Sequence, residues 1–195
     1  HARRGEVAAL ESRVNELVQI ERSFARTDPL TSLCNRRAFI DALQKAEARG
    51  RRTGERLAAA RLDVDGFRAR NDAYSRNEGD QLLRAGSTSL SLTTRMGDLA
   101  ARLENDEFSL LLYNCRPDNA MKIGQRLVDE VAELGRAYPD ARVTASVGMA
   151  CFAASGPDPD EMMRLAGSAL RQARQNGGNA VIIETPDSSL REAVA

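Results

Sequence analysis

Residues 57–64 read Leu-Ala-Ala-Ala-Arg-Leu-Asp-Val, an apolar run that ends in carboxylates at Asp63 and Asp65. Its length and apolar content predict a strand. Residues 100–103 and 108–113 predict two more, joined as a hairpin around Glu104-Asn105-Asp106-Glu107. The segment 142–153, β-branched at its start, predicts a long strand, and 179–184 predicts the last. Between these runs the pattern predicts helices over 35–48, 78–94, 117–134 and 160–175. Residues 50–54 read as a basic loop, and Asn176-Gly177-Gly178 as the stop of the last helix. From residue 55 the order is β-α-β-β-α-β, then α-β. The expected fold class is therefore α+β, an α/β sandwich with a ferredoxin-like βαββαβ core plus an extra helix and strand. That core carries its helices on one face of the sheet.

Ahead of the core, residues 6–25 read as a charged helix. Val7, Leu10, Val14 and Leu17 step by three, four and three, and the seam then shifts to Ile20 and Phe24. Two readings fit this short seam: a parallel helix that forms a homodimer, or an amphipathic helix docked on its own domain. Thr27-Asp28-Pro29-Leu30-Thr31 breaks it and starts a further helix, with Pro in the first turn. The expected division is a linker helix over 1–27, a domain over 28–184, and a polar tail or linker over 185–195.

Composition excludes several chemistries. Lys plus Arg and Asp plus Glu both number 28, so no net field points to nucleic acid. The three cysteines, Cys34, Cys115 and Cys151, form no CxxC pair. They give neither a zinc site nor a disulfide framework, and a cytoplasmic setting is expected. The single histidine is His1, so histidine triads, His-ligated zinc and His general bases are not expected. No apolar run is long enough to span a membrane. The chain starts without Met, and a fragment of a longer protein, which could be tethered to a membrane, is expected.

The acidic residues suggest a site. In a ferredoxin-like sheet the strand ending at Asp63 neighbours the hairpin that carries Asp106 and Glu107. Carboxylates converging on one edge repel unless a hard cation sits among them. Mg²⁺ suits such a place, because it takes oxygen ligands and prefers carboxylate with phosphate. One reading is thus a metal–nucleoside-triphosphate site acting by positioning and charge neutralisation. The other is a solvated hairpin tip beside a strand-end Asp.

Six ordered motifs carry a resemblance. They are the segment Asp28-Pro-Leu-Thr-Ser-Leu-Cys-Asn-Arg-Arg-Ala-Phe39, then Asp63-Val-Asp-Gly-Phe-Arg-Ala-Arg-Asn-Asp72, then Gly79-Asp80. Glu104-Asn-Asp-Glu-Phe108 and Val143-Thr-Ala-Ser-Val-Gly148 follow, and last the set Ala169-Leu170, Ala173-Arg174 and Gly177-x-Asn179. Together they resemble the GGDEF domain, the diguanylate cyclase family of bacterial signalling, whose fold is of the nucleotidyl-cyclase type. The family condenses two GTP molecules, held on facing domains, into cyclic di-GMP. The resemblance implies Asp63 and Asp106 as ligands of Mg²⁺ or Mn²⁺, with the Val64 carbonyl assisting, and Glu107 as an activating carboxylate. It implies Asn71 and Asp80 at the guanine edge, Phe67 and Arg68 near the phosphates, and Arg174 in place of a phosphate-contacting lysine.

The same comparison exposes departures. The two signature glycines are Glu104 and Asn105, and the Gly-His before Gly79-Asp80 is Ser75-Arg76. A late Asp is Gly167, a Tyr is Arg171, and a second phosphate-binding arginine is Gly178. Glycine at a tight turn permits φ > 0, which Glu adopts less readily than Asn. A Glu104 carboxylate facing phosphate would also repel it. Little or no cyclase activity is expected. Arg95-Met-Gly-Asp98 stands where the family has its R-x-x-D inhibitory site for cyclic di-GMP, with Arg126 as third member; a surface ion pair is the plainer reading. Arginine forks pair with phosphate or guanine, and the Asp accepts from guanine N–H groups. Three functions remain in view. The first is a receptor for cyclic di-GMP, and for GTP at the old active site, beside a sensor or EAL domain. The second is an active, product-inhibited cyclase. The third is a dimerisation element that needs no nucleotide.

Overall fold

Alternation decides how the sheet is buried. In β2 (Leu57–Asp65) Ala58, Ala60, Leu62 and Val64 enter one core, while Leu57 and Ala59 enter another. In β4 (Glu107–Tyr113) Phe108, Leu110 and Leu112 join the first core and Leu111 the second. β5 (Thr144–Phe152) divides likewise, with Val147 and Met149 opposed to Ala150 and Phe152. Strands covered on both faces read as near-continuous apolar runs, which is why the sequence shows them so clearly. The computed structural model describes residues 10, 12–18, 25–67, 75–137, 143–153 and 158–186, and the backbone but not the side chain of Arg76.

With β1 (Cys34–Asn35), β3 (Leu99–Glu104) and β6 (Val181–Glu184), the strands form one sheet in the order β1-β3-β4-β2-β5-β6. The four central strands run antiparallel to their neighbours; β1 and β6 pair in parallel at the two edges. The central order is the ferredoxin-like one expected. Helices α2 (Arg76–Thr93) and α3 (Pro117–Gly135) cover the first face through Leu82, Leu90, Leu127 and Val131. Helices α1 (Arg36–Thr53) and α4 (Pro159–Gln175), which lie outside that core, cover the second through Phe39, Leu43, Met162 and Ala166.

Three local expectations change. Helix α1 runs through Gly50 and absorbs the expected basic loop, ending at Gly54, where φ of 77° lets the N–H bond back to the Gly50 carbonyl. Thr27–Thr31 starts no helix: Asp28 Oδ1 instead accepts from the Thr31 N–H at 2.9 Å and its hydroxyl at 2.7 Å. The short edge strand β1 was not expected. In the N-terminal stretch, residues 12–18 are helical, and Leu10, Val14 and Leu17 are exposed at 65%, 56% and 58%, none buried against the domain. The rest of the expected seam, Val7, Ile20 and Phe24, lies outside the described residues.

Candidate functional site

Sheet register assembles the acidic edge. Asp63 lies opposite Glu107 of β4 and Ser146 of β5, and Asp65 opposite Thr144. Arg61, Asp63 and Asp65, two apart along the strand, all turn to the face covered by α1 and α4. Val64 turns the other way into the first core, so only its main chain is available to the site. Asp106 occupies the two-residue turn between Glu104 and Glu107.

That turn is relaxed. Asn105 alone takes the left-handed conformation, with φ of 42°, while Glu104 is the last residue of β3 and pairs with Glu107. The expected conflict between Glu104 and a positive φ therefore does not arise. The Glu104 side chain is 67% exposed, with Oε2 3.9 Å from a guanidinium nitrogen of Arg36.

Each carboxylate of the edge has a distinct surrounding. Asp63 is tucked in; burial, then the neighbouring Asp106 and the charge of Glu107, push its pKa up to about 7 against the pull of Arg174. Arg174, from the last turn of α4, forms an ion pair with Asp63. Glu107 is held by Arg61, whose Nε donates to Oε1 at 2.6 Å. Asp65 does no comparable work: Ser146 Oγ donates to Oδ1 at 2.7 Å, and Thr144 Oγ1 and the Asn179 N–H donate to Oδ2 at 2.8 and 2.9 Å. It fastens β2 to β5 and to the turn after α4. Gly178 sits against the same carboxylate with φ of 71°, and a Cβ there would meet Asp65 Oδ2 at 2.9 Å.

Among the described residues, no three His, Cys, Asp or Glu side chains form a cluster fit to hold a metal alone. The donors expected there are two carboxylates, Asp63 and Asp106, and the Val64 main chain. Such a partial set suits Mg²⁺, which keeps waters and binds through one or two carboxylates plus substrate phosphates. Burial first, and the neighbouring Asp106 second, raise the Asp63 pKa.

Other expected nucleotide contacts are only partly placed. Phe67 is buried in the first core, and Asp80 is half-buried in α2, next to a first turn capped where Glu78 accepts the Ser75 N–H at 2.9 Å. Arg68 and Asn71 lie outside the described residues.

The arginine motif forms a second centre. Asp98, with a side chain 2% exposed, accepts from the Tyr113 N–H at 3.0 Å and from Arg95 Nε at 3.2 Å. Arg95 is 62% exposed and also donates to the Tyr113 carbonyl. Both border a cleft of about 520 Å³ whose other walls include Lys45, Arg49 and Glu55. Arg126 is not brought to them: its Nε pairs with Glu130 at 2.8 Å, and it lines a separate groove on α3. From that helix it is Lys122 that borders a smaller hollow with Arg95 and Asp98. Sequence reasoning missed Lys45, Arg49 and Lys122 because only the fold brings them to the motif. It missed Arg61 too, although a charge inside an apolar strand was a visible signal.

Residues 25–180 match the family described as "Diguanylate cyclase, GGDEF domain". The bifunctional diguanylate cyclase/cyclic di-GMP phosphodiesterase MucR of Pseudomonas aeruginosa is 34% identical over 180 residues, covering 91% of this chain and 26% of that protein. The probable diguanylate cyclase DgcT of Escherichia coli is 28% identical over 170 residues, 85% of this chain and 37% of that protein. The chain thus spans only 26% and 37% of the length of these two relatives. Among solved structures, the coiled coil and GGDEF domain of DgcB from Caulobacter crescentus in complex with c-di-GMP superposes with a TM-score of 0.77 at 28% identity. That match covers 94% of this chain and 98% of that one. The diguanylate cyclase SiaD of P. aeruginosa, in complex with its activator SiaC, matches with a TM-score of 0.76 at 29% identity over 93% and 72% of the two chains.

Proposed function

Because this chain belongs to the diguanylate cyclase GGDEF-domain family, we propose that it is a regulatory module of cyclic di-GMP signalling that binds the dinucleotide at Arg95 and Asp98 and has little or no cyclase activity. The observation that carries this reading is the cleft of about 520 Å³ at those residues. Its volume lies within the range of small-molecule sites. Lys45, Arg49 and Arg95 would supply positive charge for two phosphates on leaving Asp41, Glu55 and Asp98, and Asp98, anchored by the Tyr113 N–H, would accept from guanine N–H groups only where Arg95 swings off its Oδ2. Arg126, paired on its own helix, contributes only if it leaves Glu130.

At the acidic edge the chain's own arginines occupy the carboxylates: Arg174 on Asp63 and Arg61 on Glu107. Mg²⁺ or Mn²⁺, brought with GTP, would be held by Asp63, Asp106 and the Val64 carbonyl, and would neutralise charge on the triphosphate. Asp80, with Asn71, would read the guanine, and Arg174 would face the terminal phosphate. Glu107, held by Arg61, is poorly placed to take a proton from an attacking hydroxyl. GTP binding without turnover is the expected behaviour. The exposed apolar residues Leu10, Val14 and Leu17 would pair two copies through the N-terminal helix and relay the state of the domain to neighbouring sensor or EAL domains.

Titration with cyclic di-GMP, after bound nucleotide is stripped, tests the main claim. Binding that is lost in Arg95→Ala supports it; unchanged affinity in that variant overturns it. An active, product-inhibited cyclase is the second reading, favoured by the relaxed hairpin, whose exposed Glu104 does not distort the turn. Incubation with GTP and Mg²⁺ or Mn²⁺ at high protein concentration decides between them: cyclic di-GMP that disappears in Asp106→Ala would establish the second.

A further inference from the structure

Arg61 interrupts the apolar run of β2, and its place is built rather than incidental. Its Nε donates to Glu107 Oε1 at 2.6 Å, and a second guanidinium nitrogen pairs with the same oxygen. The two side chains are 28% and 20% exposed, so solvent screens the pair only in part. The guanidinium fits because small residues surround it. Its ladder partners are Ser109 on β4 and Gly148 on β5. From α4, Gly167 faces it, and a Cβ on Gly167 would stand 2.7 Å from Nη1. Ser109 Oγ, fully buried, has no hydrogen-bond partner among the described residues, which leaves this niche polar.

We propose that Arg61, seated in the niche left open by Gly167, is a positioning residue and fixed counter-ion that withholds Glu107 from a divalent cation and weakens cation binding at the Asp63–Asp106 edge. Two effects act in the same direction. The fork occupies Glu107 Oε1, and its permanent charge repels a second cation beside it. A guanidinium does not deprotonate at working pH, so the block is constant. The missing late Asp and the unexpected arginine thereby become one feature: the glycine makes room for the charge. The inference rests on the reading of this edge as a metal–nucleotide edge, and its test separates the two.

The experiment is Mn²⁺ binding to the nucleotide-stripped chain, followed by the spin resonance of free Mn²⁺. Arg61→Leu is expected to tighten Mn²⁺ binding about tenfold, the scale of one unit charge removed from a partly exposed site. Gly167→Ala, a favourable helix substitution that crowds Nη1, tightens it less; the double variant matches Arg61→Leu, because the glycine acts only through the arginine. Arg61→Lys keeps the charge without the fork and falls between. A purely structural arginine would not improve metal binding when removed. If Asp106→Ala abolishes Mn²⁺ binding while Arg61→Leu and Gly167→Ala leave it unchanged or weaker, this inference falls and the metal edge stands. If none of the variants changes it, both fall. Gly167→Ala carries the test on its own should Arg61→Leu fail to fold.

Discussion

Asp65 and Asn179, 114 positions apart, are joined by a hydrogen bond of 2.9 Å from the Asn179 N–H to Asp65 Oδ2. Asn179 adopts φ of 51°, so a left-handed turn after α4 presents its N–H to the strand end. The second Asp of the Asp63-Val64-Asp65 motif thus closes the fold, whereas the first belongs to the acidic edge. Asp65→Ala leaves two hydroxyls and one N–H without this acceptor. It is expected to lower stability by about 2 kcal/mol, the scale of stranded polar groups. Urea unfolding measures this, and a loss near zero would show that water replaces the carboxylate.

Gly148 has a comparable packing role. A Cβ there would lie 2.0 Å from the Leu170 nitrogen and 2.3 Å from the Ala166 carbonyl oxygen, both backbone atoms of α4. Helix and strand touch through the missing side chain. Gly148→Ala must push α4 away, at an expected cost of about 3 kcal/mol. Since α4 carries Arg174, the same variant should also weaken GTP binding. Unfolding curves and nucleotide titration report the two effects separately.

The Asp28–Arg102 pair predicts acid sensitivity. Burial alone would raise the Asp28 pKa, but hydrogen bonds from Thr31 and Arg102 outweigh it and hold the carboxyl below its ordinary value of 3.8. A depressed carboxylate stabilises the fold above its unfolded pKa. That contribution is complete at neutral pH and is lost as pH falls below 3.8. Asp28→Asn should lower stability at neutral pH and flatten its decline in acid. Equal acid slopes for variant and parent would sink the assignment.

The sequence shows those features that the local pattern controls. The near-continuous apolar runs in 57–64 and 108–113 reveal strands, because both faces of the sheet are covered. Gly50 misleads as a helix stop: it stays helical and buried, and a Cβ on it would come within 3.1 Å of the Glu55 carbonyl oxygen. β1 has only two residues and exists through its partner Ala101–Arg102, so no local pattern marks it. The carboxylates of the acidic edge are readable from spacing, but their partners are not. Arg61 reaches Glu107 only through the β2–β4 register, and Arg174 reaches Asp63 from 111 positions away. Arg126 and Glu130, four apart on α3, were a visible pair whose attraction competes with the arginine site.

The hairpin offers the sharpest test of what limits turnover. Glu104→Gly with Asn105→Gly restores both glycines of the family signature. Glu104 is 67% exposed and not strained, and Asn105 already takes the conformation that glycine favours. The double variant should therefore keep its stability within about 0.5 kcal/mol, as exposed substitutions do. It should still make no cyclic di-GMP, because Arg61 continues to hold Glu107 and Arg174 to hold Asp63. Product formed from GTP by the double variant alone would show that the Glu104 carboxylate was the obstacle and that the ion pairs open freely. Product formed only after Arg61→Leu is added would place the obstacle at Glu107.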